Sequence, residues 1–445
     1  MVIVRSLLVL LVAMAAGCSL VNDPGMHTGG AMVRFAHLAR QTDNVNVYAN
    51  GRLIAEGAEF STVGVPIPVP SGTVVFRVTR AETNDVVLER SLQTDPEEAY
   101  TLTLFGDESP PPELLPLRTL GLLLLRDDRS DFDPMPDVRL NVVHVASPVE
   151  TGALVAIAPN GDQARLISEF GFGASAQLAP PSQALTVGFD ARTDGSIDAQ
   201  FDLPPLPAGT YATVFIAARD DGSVFLLVSR DNDTLEFSPP RVRVANLSRD
   251  VGPVDVYAGR QQIATALAFP TVGQDFYVSG QNVTFRVTRT GSMDTLLTQT
   301  PTTEQNQSYT LAVYGDAVGP TALALLLVRT DTSGLEGSDD LRLAAVNVAT
   351  PVRSGSLVFV NTAGAPEPFA PEFRFGTVTV LTRRARTGLS LGLDAQNNGS
   401  TDFQFSFPNL TAGAYANVFV AARGDDTPFL LVNTDGNETD IVEPN

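Results

Sequence analysis

Along most of the chain apolar and polar residues alternate with a period of two. Val45-Asn46-Val47-Tyr48-Ala49 and Val74-Val75-Phe76-Arg77-Val78-Thr79-Arg80 carry the pattern, and β-branched residues dominate both. Successive side chains of a strand point to opposite faces, so this spacing predicts β-strands rather than helices. Turn signals break the pattern at spacings of roughly 8 to 12 residues, among them Asn50-Gly51, Pro70-Ser71-Gly72, Asp194-Gly195, Pro207-Ala208-Gly209 and Asn398-Gly399. No amphipathic helix is evident after the apolar run near the N-terminus.

The pattern also repeats over long distances. Phe60, Tyr100-Thr101-Leu102 and Gly106-Asp107 recur at Phe269, Tyr309-Thr310-Leu311 and Gly315-Asp316, at a constant offset of 209. A second set, Pro148-Val149, Phe172-Gly173, Ala217-Ala218-Arg219 and Phe225-Leu226-Leu227-Val228, recurs at Pro351-Val352, Phe375-Gly376, Ala421-Ala422-Arg423 and Phe429-Leu430-Leu431-Val432, at an offset of 203 that becomes 204. The order is therefore A, B, A′, B′. All four units share an apolar-Arg-apolar opening (Arg34, Arg139, Arg243, Arg342), a tyrosine starting a late apolar run (Tyr100, Tyr211, Tyr309, Tyr415) and a closing aspartate. These marks place A at 32–127, B at 138–231, A′ at 241–331 and B′ at 341–435, with a tail at 436–445. The acidic stretches Asp128 to Asp137, Asn232 to Pro240 and Thr332 to Asp340 read as linkers.

About seven short strands in each unit is the arithmetic of an immunoglobulin-like antiparallel β-sandwich, and the tyrosine is similar to the tyrosine corner of that fold. The predicted architecture is all-β, four tandem sandwiches. Laid in line at about 30 Å each, they would reach on the order of 120 Å. The phrases Val33-Arg34-Phe35-Ala36-His37-Leu38, Val45-Asn46-Val47-Tyr48-Ala49-Asn50-Gly51, Pro70-Ser71-Gly72 and Tyr100-Thr101-Leu102 resemble the bacterial and archaeal domain-of-unknown-function family numbered 4397. The resemblance is closer in A and A′ than in B and B′. It implies an extracellular β-sandwich used in tandem on exported proteins, and it brings no catalytic residues.

Composition narrows the function. The 445 residues carry a net charge of −21, and all 29 basic residues are arginine. Without lysine there is no Schiff-base nucleophile and no P-loop lysine, and so acidic a chain is a poor partner for nucleic acid. At the N-terminus Arg5 precedes an apolar run from Leu7 to Ala16, the form of an export signal at 1–17. The following Ala15-Ala16-Gly17-Cys18-Ser19 resembles the lipobox of bacterial lipoprotein precursors. That resemblance implies acylation of Cys18, a membrane anchor and a place in the cell envelope, with Ser19 resembling an outer-membrane sorting preference. The residues up to 31 would be a flexible tether. Ordinary secretion after Ala13-Met14-Ala15 is the alternative. Cys18 is the chain's single cysteine, so no internal disulfide forms and stability must come from cores.

Candidate chemistry is sparse. Of the three histidines, His27 lies in the tether, and His37 and His144 occupy positions where A′ and B′ have Asn246 and Asn347. A base cannot be exchanged for asparagine, whereas a hydrogen-bonding side chain can, so a structural role is expected. No nucleophile elbow, zinc helix or phosphate loop is present. The sharpest motif is Asp190, Asp194, Gly195 and Asp198, matched by Asp394, Asn398, Gly399 and Asp402. Oxygen ligands at positions 1, 5 and 9 with glycine at 6 resemble part of a calcium loop. Arg192 at position 3 and Phe201 at position 12 do not fit, and a β-hairpin turn is the favoured reading. The acidic runs Asp128 to Asp137 and Leu335 to Asp340 are read as solvated spacers rather than calcium clamps between sandwiches, and the four opening arginines as a solvated or salt-bridged face opposite the core. The sequence thus points to a non-enzymatic envelope lipoprotein with a structural, scaffolding or adhesive role, no cofactor, and an envelope protein or glycan as partner. The alternative is an array of carbohydrate- or peptidoglycan-binding modules, calcium-assisted or not.

Overall fold

The structure is a computed structural model that describes residues 29–110, 118–127, 138–180, 182–230, 233–317, 321–360, 366–434 and 438–445. The signal, Cys18, most of the tether and the segment 128–137 lie outside the described residues. Every regular element described is a strand. Each unit contains two facing sheets, and the chain visits them in the same order in all four.

Unit A shows the path. The opening strand Ala31–Arg40 lies in the first sheet, and Val45–Ala49 and Arg52–Ala58 form a hairpin in the second. Thr62–Val63 and Ile67–Val69 return to the first sheet, Gly72–Arg80 and Val86–Thr94 to the second, and Ala99–Asp107 and Gly121–Arg126 complete the first. Pairing is antiparallel except that the opening strand runs parallel to the tyrosine strand, with Val33 opposite Tyr100. The same parallel pair recurs in B, A′ and B′. A strand without such a partner would leave its edge open. The copies differ where proline intrudes: Pro66 falls in the break between Thr62–Val63 and Ile67–Val69 of A, whereas A′ runs unbroken from Thr271 to Tyr277.

Each unit has its own core between the sheets. In A it gathers Val33, Phe35, Val47, Phe76, Val78, Tyr100 and Leu102, and B′ builds the equivalent from Leu343, Phe359, Phe373, Phe405 and Val418. A further apolar layer joins the units in pairs. Ala36, Leu38 and Leu125 of A pack against Val143, Val145, Phe215, Phe225 and Leu227 of B. Leu247, Tyr314 and Val328 of A′ likewise meet Val346, Phe419, Phe429 and Leu431 of B′. The first sheets of paired units therefore lie face to face and are covered on both sides. This is why Tyr211–Ala218 and Tyr415–Ala422 are buried at every residue and read as continuous apolar runs.

Three expectations change. The units of a pair stack through their sheets, so the array is not a line of four sandwiches end to end. Two supposed linkers are structural: Asp233–Phe237 adds a strand to B, and Leu335 is buried in the layer between A′ and B′. The tail is structural too, with Thr439–Val442 forming the edge strand of B′.

The shared tyrosine is not one structural position. Tyr100 and Tyr309 pair with Val33 and Val242, face the cores and accept the N–H of Asp95 and Glu304 at 2.9 and 3.0 Å, as a tyrosine corner does. Tyr211 and Tyr415 pair instead with Arg139 and Arg342. A one-residue slip reverses the face, and Tyr415 points into the layer between units, donating to the Arg329 carbonyl at 2.7 Å.

Candidate functional site

The calcium-like segments form hairpin turns, between Leu185–Asp190 and Ala199–Leu203 in B and between Ser390–Asp394 and Phe403–Ser406 in B′. The carboxylates at the first and ninth positions take backbone donors of the turn. Asp190 accepts from the N–H of Asp194 at 3.2 Å and of Gly195 at 2.8 Å, and Asp198 from that of Ala191 at 2.8 Å. Asp194 accepts from Ser196 N–H at 2.8 Å, and hydrogen bonds from Ser196 hold its carboxyl below the usual range. In B′, Asp394 accepts from Asn398 and Gly399 at 3.1 and 2.7 Å, Asp402 from Ala395 at 2.8 Å, and Asn398 from Ser400 at 2.9 Å. Gly195 and Gly399 both sit at φ +85, the left-handed region where glycine is free of Cβ strain. The side chain of Arg192 pairs with Asp198 at 3.2 Å. Among the described residues no group of three or more His, Cys, Asp or Glu is gathered as a metal site.

The histidines do the work of the asparagines that replace them. His37 and His144 are fully buried. Nδ1 of each accepts the N–H of the residue two further on, Ala39 at 3.4 Å and Ala146 at 3.3 Å. Asn246 and Asn347 accept in the same way from Ser248 and Ala349, both at 3.2 Å, and also donate to backbone carbonyls, Asn347 to Val352 and Phe373 at 3.0 and 3.1 Å. Burial pushes the His37 imidazole below its ordinary value and that of His144 down to about 4. Both rings are therefore neutral at pH 7.

Of the opening arginines, Arg34, Arg243 and Arg342 are salt-bridged, but the first two are not solvated. Arg34 and Arg243 are 5% and 2% exposed, because the second unit of each pair covers the face they occupy. Arg34 donates to Thr101 at 2.8 Å and across to Thr213 of B at 3.3 Å, with Asp127 at 3.7 Å. Arg243 holds both oxygens of Asp275, at 3.0 and 3.3 Å, and reaches Asn433 and the Thr434 carbonyl of B′, each at 3.0 Å. Arg342 ties B′ to the end of A′ through Asp331 at 2.8 Å.

A polar cleft of about 690 Å³ that the alternation pattern did not signal is formed by strand ends of A′, beside its contacts with B and B′. Its walls are the start of the A′ opening strand at Arg241, the approach to the tyrosine strand at 306–308, and the exit of the last strand at 329–333. Asn306 fixes the B side, accepting from Ser238 N–H at 2.6 Å and donating to the Glu236 carbonyl at 2.8 Å. Tyr415 and Arg342 fix the B′ side through the carbonyls of Arg329 and Asp331, each at 2.7 Å. The signal lay in the difference between copies: A has Met32 and Ala99 where A′ has Arg241 and Ser308.

A search of curated proteins finds no match. Among solved structures, the Bacillus anthracis TIE protein aligns over 85% of this chain and 65% of its own at 10% identity and a TM-score of 0.16. The chain thus spans just under two thirds of that protein. The family described as "Domain of unknown function (DUF4397)" matches residues 31–151 and 240–354. Both stretches end on the first residue of the second strand of the following unit, Thr151 and Ser354. With two copies matched across more than half of its length, this chain belongs to the DUF4397 family.

Proposed function

We propose that this protein is a non-enzymatic envelope lipoprotein in which two double-sandwich bodies, A–B and A′–B′, are carried on a lipid anchor at Cys18 as a scaffold or adhesive module. The observation that carries the reading is the sequence Gly17-Cys18 at the end of an export-type leader, bearing the chain's single cysteine, ahead of a duplicated array. The burial of His37 and His144 and the backbone N–H bonds taken by Asp190, Asp198, Asp394 and Asp402 support it, since buried or backbone-held groups are poor acids, bases or ligands. In this reading the loops and outer sheets make the contacts, and the arginine-crossed pairs serve as rigid supports.

The test is intact-mass spectrometry on protein purified from membranes of the native host, beside a Cys18→Ala variant. Loss of residues 1–17 together with added acyl mass, absent in the variant, is the expected result. A soluble, unacylated chain starting at Ala16 would make it a secreted factor and remove the anchor from the proposal.

A further inference from the structure

We infer that the cleft at the strand ends of A′ is a binding site for a carboxylate-bearing saccharide, such as a uronic-acid unit of an acidic glycan. At about 690 Å³ its volume falls in the range of small-ligand sites. Its lining differs from that of an apolar pocket: it consists of two guanidinium groups, two side-chain amides, several hydroxyls and one carboxylate, with no aromatic or aliphatic side chain. Amides and hydroxyls supply both donors and acceptors, which suits a ligand rich in hydroxyls. A planar guanidinium matches a carboxylate through two parallel hydrogen bonds.

The charge inside the cleft favours an anion although the chain as a whole is strongly acidic. The one acid in the wall, Asp331, is paired with Arg342 at 2.8 Å. Arg329 contacts Glu304 at 3.3 Å, but the two side chains are 49% and 62% exposed, and such a pair is weak in water and readily exchanged for a ligand. Arg241 lies 3.7 Å from Asp275, whose carboxylate is already held by Arg243 at 3.0 Å. Both cleft arginines therefore retain donors to offer.

The walls are also held in place. Arg241 Nε donates to Ser308 Oγ at 3.1 Å and Arg329 Nε to Gln307 Oε1 at 3.0 Å, which orients the guanidinium groups before any ligand arrives. Preorganisation of this kind lowers the ordering cost of binding. Unit A provides the internal control. It has Met32 and Ala99 at the equivalent positions, so the cationic wall is a property of A′ and not of the fold. The inference concerns a ligand of A′ and does not depend on the anchor.

The test is calorimetric titration of the full chain in detergent with an oligogalacturonate, a neutral oligosaccharide of equal length, acetate and inorganic phosphate. It is repeated on the Arg241→Met/Ser308→Ala double variant, which installs the residues of A and removes both partners of one hydrogen bond. Binding of the oligouronate at least tenfold tighter than of the neutral sugar or the simple anions, weakened at least tenfold in the variant at unchanged melting temperature, is expected. Equal affinity in the variant, no binding of the oligouronate at millimolar concentration, or equal binding of acetate, phosphate or the neutral sugar would each overturn the assignment. Should the double variant unfold, Arg329→Gln reads out the same site.

Discussion

Single positions in this chain are best understood by asking what the other copies put there. His144 and Asn347 sit at one place in the fold and take the same backbone N–H. The exchange preserves an acceptor but not the response to acid. In the folded chain His144 titrates at about 4, whereas in the unfolded chain it takes its proton near 6.5. Between these values the unfolded state binds more protons, so the contribution of His144 is complete above about pH 6.5 and is lost as pH falls toward 4. The loss amounts to about 3 kcal/mol, and His37, shifted in the same direction, adds to it. We expect His144→Asn to fold and to flatten the fall in denaturation midpoint between pH 7 and 4.5. An unchanged pH slope would show that the ring is not the source. Asp190 and Asp394 follow the same logic: their place in a hairpin was legible from Asp-Gly and Asn-Gly spacing, but the aim of their carboxylates onto backbone N–H groups was not, because that depends on loop dihedrals.

At the scale of elements, the opening strand gives the clearest physical lesson. Alternation places Arg34 and Arg243 opposite the core, and this much the sequence shows. Alternation alone cannot tell whether the opposite face meets water or a second sheet, and here it meets a sheet. Burial changes what the arginine is worth. Replacing Arg243 with alanine would leave the Asp275 carboxylate, itself only 14% exposed, without its main partner. A cost of about 3 to 5 kcal/mol is expected, far above that of a surface ion pair, and chemical denaturation of the variant measures it. The tyrosines teach the same point through register. Tyr100 and Tyr415 begin similar apolar runs, yet one residue of slip sends the first to a core and the second to an interface.

For the molecule as a whole, the pairing of sandwiches matters more than their number. The layer between A and B is apolar and continuous with buried strands on both sides, so neither unit can unfold without exposing its partner. The junction between B and A′ is different. It is made of hydrogen bonds such as Asp202 N–H to Gln305 at 2.9 Å and Gln281 to Asp202 at 2.7 Å, and such contacts couple domains weakly. Scanning calorimetry should therefore show two cooperative transitions, one for each pair. Because B carries His144 where B′ carries Asn347, the A–B transition should move to lower temperature faster as pH falls from 7 to 4.5. Four independent transitions would contradict the paired architecture.

The strands, the turns and the A-B-A′-B′ order were legible in the chain before any contact between distant residues was known. All of these follow from periodicity, from residues such as Gly195 with special backbone freedom, or from one copy compared with another. Only the folded chain shows which outer faces are covered, that Asp233–Phe237 and Thr439–Val442 are strands rather than linker and tail, and that the strand ends of A′ form a cleft around Arg241 and Arg329. The physical reason is that side-chain alternation encodes two faces for each strand and nothing about what lies against the second. Whether Leu335 or Arg243 meets water or another sheet is fixed by contacts between residues distant in the chain, which local pattern does not carry.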